Sequence, residues 1–119
     1  MPEGAKSQRA ALWILSVLLA ALFLLAGAAK LSGAANAVQG FAHLGYPDWF
    51  RLLIGVIEVG GAVTLLVPWL AYYSATGLGV VMIGAAYSHV TVGETAQALL
   101  PLACLAALGF IGYARGRAG

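Results

Sequence analysis

The chain has 119 residues, of which 62% are hydrophobic and only 8% charged, about a third of the roughly 25% charge carried by a soluble domain. Six Lys and Arg against four Asp and Glu leave a net charge of +2, too sparse for a nucleic-acid surface, and the single Cys104 excludes an intramolecular disulfide, a CxxC redox pair and a cysteine-based zinc or iron–sulfur cage. This is the composition of an integral membrane protein, whose first partner is the lipid bilayer.

Four spans are expected, in chain order. Arg9 and Lys30 enclose an uncharged run from Ala10 to Ala29, which as a helix rises about 30 Å and crosses a hydrocarbon core, giving a first span over about 10–30. Lys6, Arg9 and the small residues Ala26-Gly27-Ala28 resemble a signal peptide, but the apolar run is too long for an h-region, so the segment is expected to be retained. A long loop from Leu31 to Tyr46 follows. Pro47-Asp48 is a helix-start signal, with Asp48 read as the cap; the second span runs over about 48–67 to Pro68, interrupted only by Arg51 near its start and Glu58 inside it. The short Pro68-Trp69-Leu70-Ala71 link forces an antiparallel hairpin into a third span over about 72–89. A fourth, over about 95–113, carries Pro101 as an expected kink. The expected fold class is therefore all-α, an up-down-up-down four-helix transmembrane bundle forming one domain over residues 1–119.

Orientation follows from the basic residues. Lys6, Arg9, Arg115 and Arg117 lie on the side shared by both termini, whereas only Lys30 and Arg51 lie on the other, so both termini are expected in the cytoplasm of a bacterial inner membrane. Trp13, Trp69, Tyr72, Tyr73 and Tyr113 then mark the inner boundary, and Tyr46, Trp49, Phe50 and Tyr87 the outer one. Lipid gives helices no hydrophobic reason to associate, so small residues must let backbones approach. Gly55, Glu58 and Ala62 share one face of the second span, and Gly77, Val81 and Gly84 one face of the third; both faces are expected to look into the bundle.

Glu58 is the most informative residue. Seven positions along its helix from Arg51, it lies about 10 Å deep, where an ionised carboxylate costs a few kcal/mol unless paired or wetted. It is either interhelical glue or part of a polar cavity, and intramembrane ionisable residues are functional by default. Taken singly, Lys30 reads as a snorkelling interfacial lysine and His89 as a helix-end residue. Topology nevertheless puts Lys30, Glu58 and His89 in one leaflet, and these are the candidate catalytic residues. Gly27, Gly55, Ala62 and Tyr87 are expected to line the cavity, with His43 as a lid residue over it. Glu94, three residues after Thr91, reads as a capping-box or helix-start acid, and Cys104 as a packing residue. No metal motif, phosphate loop or Ser/His/Asp set appears.

Leu25-Ala26-Gly27-Ala28-Ala29-Lys30-Leu31, Gly55-Val56-Ile57-Glu58-Val59-Gly60-Gly61 and Met82-Ile83-Gly84-Ala85-Ala86-Tyr87-Ser88-His89 together resemble the DoxX-like family of small four-helix membrane proteins. The family pattern of a basic residue closing helix one, a glutamate in helix two and a histidine closing helix three implies the same trio, Lys30, Glu58 and His89. Relatives are similar to a subunit of a thiosulfate:quinone oxidoreductase, to membrane components associated with oxidative-stress enzymes and to endoplasmic-reticulum proteins that assist receptor assembly; the paired cysteines of a redox enzyme are absent here.

The leading expectation is an outward-facing polar cavity that binds a lipophilic small molecule, of quinone or isoprenoid type, with quinone the candidate cofactor. Glu58 would exchange a proton, Lys30 would be its charge partner and His89 a second hydrogen-bonding group. The alternatives are an assembly subunit docking a membrane partner or a second copy of itself through glycine-rich faces, and a small proton-coupled exporter. The known small exporters carry their glutamate in the first helix, which here has none.

Overall fold

Long apolar stretches, interrupted by Gly, Pro and short polar links, yield helices over most of the residues described. The computed structural model describes the backbone of residues 3–118 and the side chains of residues 4–116, so the side chain of Arg117, counted above for orientation, lies outside it. Helix α1 spans Glu3–Ser32, α2 Ala35–His43, α3 Asp48–Leu65, α4 Ala71–Thr91 and α5 Leu99–Ala118, with a 3-10 turn at Thr95–Ala98 and no strand among the described residues. Two segments, Gly4–Ser32 and Thr95–Gly116, are long and apolar enough to cross a membrane. Helix α3 has Asp48, Arg51 and Glu58 within its 18 residues, and α4 is diluted by tyrosine, serine, threonine and histidine.

The long helices pack α1 against α3, α3 against α4, α4 against α5, and α5 back against α1. Their core is apolar, with Leu65, Leu78, Leu108 and Ile111 fully enclosed. Ser74 on α4 donates a hydrogen bond of 2.6 Å to the Gly61 carbonyl on α3, the kind of interhelical polar contact that substitutes for hydrophobic driving force in lipid. The exterior is equally apolar: Ile14, Leu18, Leu25, Val56, Val80 and Leu99 are all exposed, an outer surface suited to hydrocarbon rather than water. At one end Arg115 of α5 stacks 4.8 Å from the Trp13 ring of α1. The opposite end gathers the end of α1, the start of α3, the end of α4 and the start of α5.

Several sequence expectations change. The 31–46 segment holds the nine-residue helix α2 rather than an open loop. Asp48 is the first residue of α3, not its cap; Pro47 holds the cap position in extended conformation. Pro101 sits in the first turn of α5, where a missing N–H forfeits no bond within that helix. On α4 the buried stripe runs Ala71, Ser74, Ala75, Leu78, Met82 and Ala86. It lies one position round from the predicted face, so Gly77 is exposed, while the half-buried Val81 and the accessible Gly84 line the cavity described below.

Candidate functional site

Close backbone approach builds the site. A Cβ on Gly27 would lie 2.7 Å from Val59 Cγ2 and 2.9 Å from the Gly55 carbonyl, and one on Gly55 would lie 3.1 Å from the Gly27 carbonyl. Only glycine at these two positions lets α1 and α3 touch this closely. One turn further along each helix the side chains converge: Lys30 Nζ lies 2.8 Å from Glu58 Oε1, with side-chain exposures of 18% and 4%. Arg51, itself buried, donates through Nη1 to the Lys30 backbone carbonyl and so caps the end of α1. The Lys30 ammonium also lies 5.9 Å from the centre of the Phe41 ring on α2.

The pair forms part of the wall of a partly open cavity of about 580 Å³ lined by all five helices, within the size range of small-molecule sites. Apolar residues dominate the wall, including Phe23, Leu53, Ile57, Met82 and Leu100, while Lys30, Glu58, Tyr46, Ser88 and His89 supply the polar groups. Phe41, Tyr46 and Phe50 stack as a tilted aromatic cluster, with centroid separations of 4.9–6.3 Å. Gly45, at φ 85°, ends α2 in the left-handed region, and the Tyr46 N–H returns to the Phe41 carbonyl at 2.9 Å, a Schellman closure that turns Tyr46 inward. The Ser88 hydroxyl donates its one proton to the Gly84 carbonyl at 2.8 Å. The 2.6 Å contact between Tyr46 and Ser88 therefore has the phenol as donor.

Beside the cavity, Glu94 bridges two histidines. Its Oε1 lies 3.0 Å from His89 Nδ1 and its Oε2 lies 2.9 Å from His43 Nε2. The hydrogen bond from His89, then that from His43, holds the Glu94 carboxyl below the usual carboxylate range despite partial desolvation. It is a carboxylate at neutral pH and can only accept, so both facing ring nitrogens carry protons. Gly93, at φ 79°, produces this geometry: α4 closes on it, the Glu94 N–H bonds the His89 carbonyl at 2.8 Å, and the side chain folds back onto the same residue.

Lys30 and Glu58 meet directly, and His89 lines the same cavity but is bonded to Glu94 rather than to either of them. The expected lining residues fall elsewhere. Gly27 and Gly55 form the α1–α3 contact, Ala62 is buried core, Tyr87 is exposed and His43 is tied to Glu94; none of the five lines the cavity. Cys104 is buried and contributes to the wall. Sequence reasoning gives Arg51, Tyr46 and Glu94 only structural places and passes over Ser88. For Glu94 a usable signal exists, because Gly93 after the run ending His89-Val90-Thr91-Val92 marks a Schellman stop that brings the residue after the glycine back to His89. Among the described residues no three His, Cys, Asp or Glu side chains are arranged to hold a metal ion.

The chain belongs to the DoxX-like family, which it matches over residues 14–111, and it is accordingly a membrane protein. It is also similar to the uncharacterized protein YdgD of Bacillus subtilis (strain 168), with 32% identity over 80 residues, covering 64% of this chain and 70% of that protein. No solved structure matches it.

Proposed function

We propose that this single-domain chain spans a bacterial inner membrane as an up-down-up-down four-helix bundle with both termini cytoplasmic, and binds a lipophilic molecule of the quinone or isoprenoid class in its outward cavity. The observation that carries the reading is a cavity of about 580 Å³ whose wall is apolar except where the Lys30–Glu58 pair, Tyr46, Ser88 and His89 meet it. An apolar tail would fill the greater part, and an oxygen-bearing headgroup would meet the polar end. Lys30 donates to a carbonyl or hydroxyl oxygen, the Tyr46 oxygen accepts while its proton stays on Ser88, and Glu58 exchanges a proton with the headgroup while Lys30 balances its charge. The pair is internally neutral, which favours an uncharged ligand over a fatty acid or phospholipid phosphate.

The test is organic extraction of the full chain purified from its native membrane, with chromatography and mass spectrometry of what is released. A prenyl quinone or isoprenoid is expected in near-stoichiometric amount from wild type and in strongly reduced amount from Ala85→Trp, which fills the cavity. Equal recovery from both proteins, or recovery of bulk phospholipid alone, overturns the reading. The topology is tested separately, since a periplasm-only reporter fused to the C-terminus should be inactive.

A second reading, a non-enzymatic assembly subunit, draws on Gly77 and Gly84. A Cβ added at either would meet nothing within 4 Å; Gly84 lies on the cavity wall, while Gly77 is exposed on the outside of α4, a surface open to close approach by a partner helix. A stoichiometric protein partner retained through purification and lost in Gly77→Leu would favour it.

A further inference from the structure

The Glu94 bridge lies outside the trio to which the proposed function assigns chemistry, yet it grips one member of it. Glu94 meets His43 of α2 on its solvent side and His89 of α4 on its cavity side, and the remaining ionisable groups on the cavity wall are Lys30 of α1, Tyr46 between α2 and α3, Glu58 of α3 and Cys104 of α5. The side chain of His43 is 60% exposed, whereas those of His89 and Glu94 are 27% and 28% exposed. The bridge therefore runs from solvent to the edge of the cavity.

A neutral imidazole has one N–H and one bare nitrogen, and whichever nitrogen a carboxylate engages becomes the N–H. His89 offers Nδ1 to Glu94 at 3.0 Å, which leaves Nε2 as the bare acceptor on a ring that lines the cavity. We infer that Glu94 is a positioning residue for His89, locking the tautomer and orientation in which Nε2 serves as the cavity's neutral hydrogen-bond and proton acceptor. A carboxylate behind an imidazole has this effect wherever the ring must present one defined nitrogen. The inference deepens the proposed function and rests on it for its ligand: an Nε2 acceptor selects a headgroup carrying a hydroxyl, a quinol or an isoprenoid alcohol, over one that offers only carbonyl oxygens. When such a hydroxyl ionises, its O–H bond breaks, the electron pair stays on oxygen and the Nε2–H bond forms. His43 secures the far carboxylate oxygen and does not act on the cavity itself.

Two readouts on the full chain in lipid nanodiscs separate this inference from the reading beneath it. The first needs no ligand: nitrogen NMR of ¹⁵N-histidine protein at mildly alkaline pH, assigned with His43→Asn and His89→Asn. His89 is expected as the Nδ1–H tautomer in wild type and in His43→Asn, and in Glu94→Ala it should shift to the Nε2–H form that an unconstrained histidine side chain prefers. An Nε2–H tautomer in wild type, or an unchanged one in Glu94→Ala, overturns the positioning role; a Glu94 that only ties α2 down would lower thermal stability and leave the tautomer as it was. The second readout is binding of decylubiquinol and decylubiquinone, followed by tryptophan fluorescence. Wild type should prefer the quinol, and Glu94→Ala should lose at least tenfold in quinol affinity with little change for the quinone. Equal losses for both overturn the hydroxyl selectivity. If wild type binds neither probe while the tautomer is as expected, the positioning role stands and the proposed quinone ligand fails.

Discussion

Breaking the Lys30–Glu58 pair one partner at a time distinguishes a buried interaction from a surface lysine leaning on a neighbour. At 2.8 Å and an effective dielectric constant near 20, the attraction between the two charges is about 6 kcal/mol, set against a desolvation cost of several kcal/mol for each ion. The net worth of the pair is thus small, while the cost of orphaning one partner is large. Lys30→Met leaves a carboxylate that is only 4% exposed without its cation, and should destabilise by about 3 kcal/mol. Glu58→Gln leaves a lysine that can still reach toward water, and should lose about 1–2 kcal/mol. The double variant has no stranded charge, so it should lie within about 2 kcal/mol of wild type, giving a coupling energy of about 2 kcal/mol or more. Equilibrium unfolding of all four proteins in mixed micelles of rising denaturing-detergent fraction measures the cycle. Additivity within about 0.5 kcal/mol would refute the reasoning.

Gly27→Ala should cost about 1–3 kcal/mol by forcing α1 from α3, because its Cβ would meet Val59 at 2.7 Å; Gly77→Ala, with open space around it, should be neutral or stabilising by up to about 1 kcal/mol, read by the same unfolding assay. Arg51→Met removes the cap on the Lys30 carbonyl and should destabilise by about 2 kcal/mol, as expected for a lost hydrogen bond from a charged donor. Glu94, whose carboxyl is held low chiefly by His89, contributes stability that is fully present above the ordinary glutamate range near pH 4.3 and is lost as pH falls through its lower folded value. The difference in thermal midpoint between wild type and Glu94→Gln should therefore shrink as pH drops below about 4.

The helices are legible in the sequence because twenty uncharged residues in a row, or a proline after an apolar run, leave a chain in lipid few other choices. The nearness of Lys30 to Glu58 is legible as a shared leaflet, since antiparallel neighbours bring the end of one helix beside the start of the next. Faces are harder to assign. On α4 nearly every residue is apolar or small, so periodicity gives no purchase, and the predicted Gly77–Gly84 face differs from the buried one by a single position, about 100° of rotation. Equating small residues with space puts Gly27, Gly55 and Ala62 in the cavity. Here glycine removes space, by letting two helices close. The Glu94 bridge is hidden as long as residues 31–46 read as a loop, because α2 is what carries His43 to the carboxylate.

The Lys30–Glu58 pair should be replaceable without loss of the fold. Apolar residues of similar volume commonly equal or exceed a buried ion pair in stability, and the α1–α3 contact already has its glycine approach and apolar packing. Arg51 differs, because its guanidinium serves a backbone carbonyl that any sequence would leave exposed at the end of α1. Lys30→Met combined with Glu58→Leu should therefore unfold at or above the denaturant midpoint of wild type, since it removes both desolvation costs at once. The cavity would keep its size and lose its charged donor and the acid to which we assign proton exchange, so extraction of this variant should recover markedly less prenyl lipid than wild type. A stable double variant that retains its lipid in full would show that the apolar wall alone holds the ligand. A variant that fails to fold would make the pair structural after all, and the assignment of chemistry to Glu58 would fall with it.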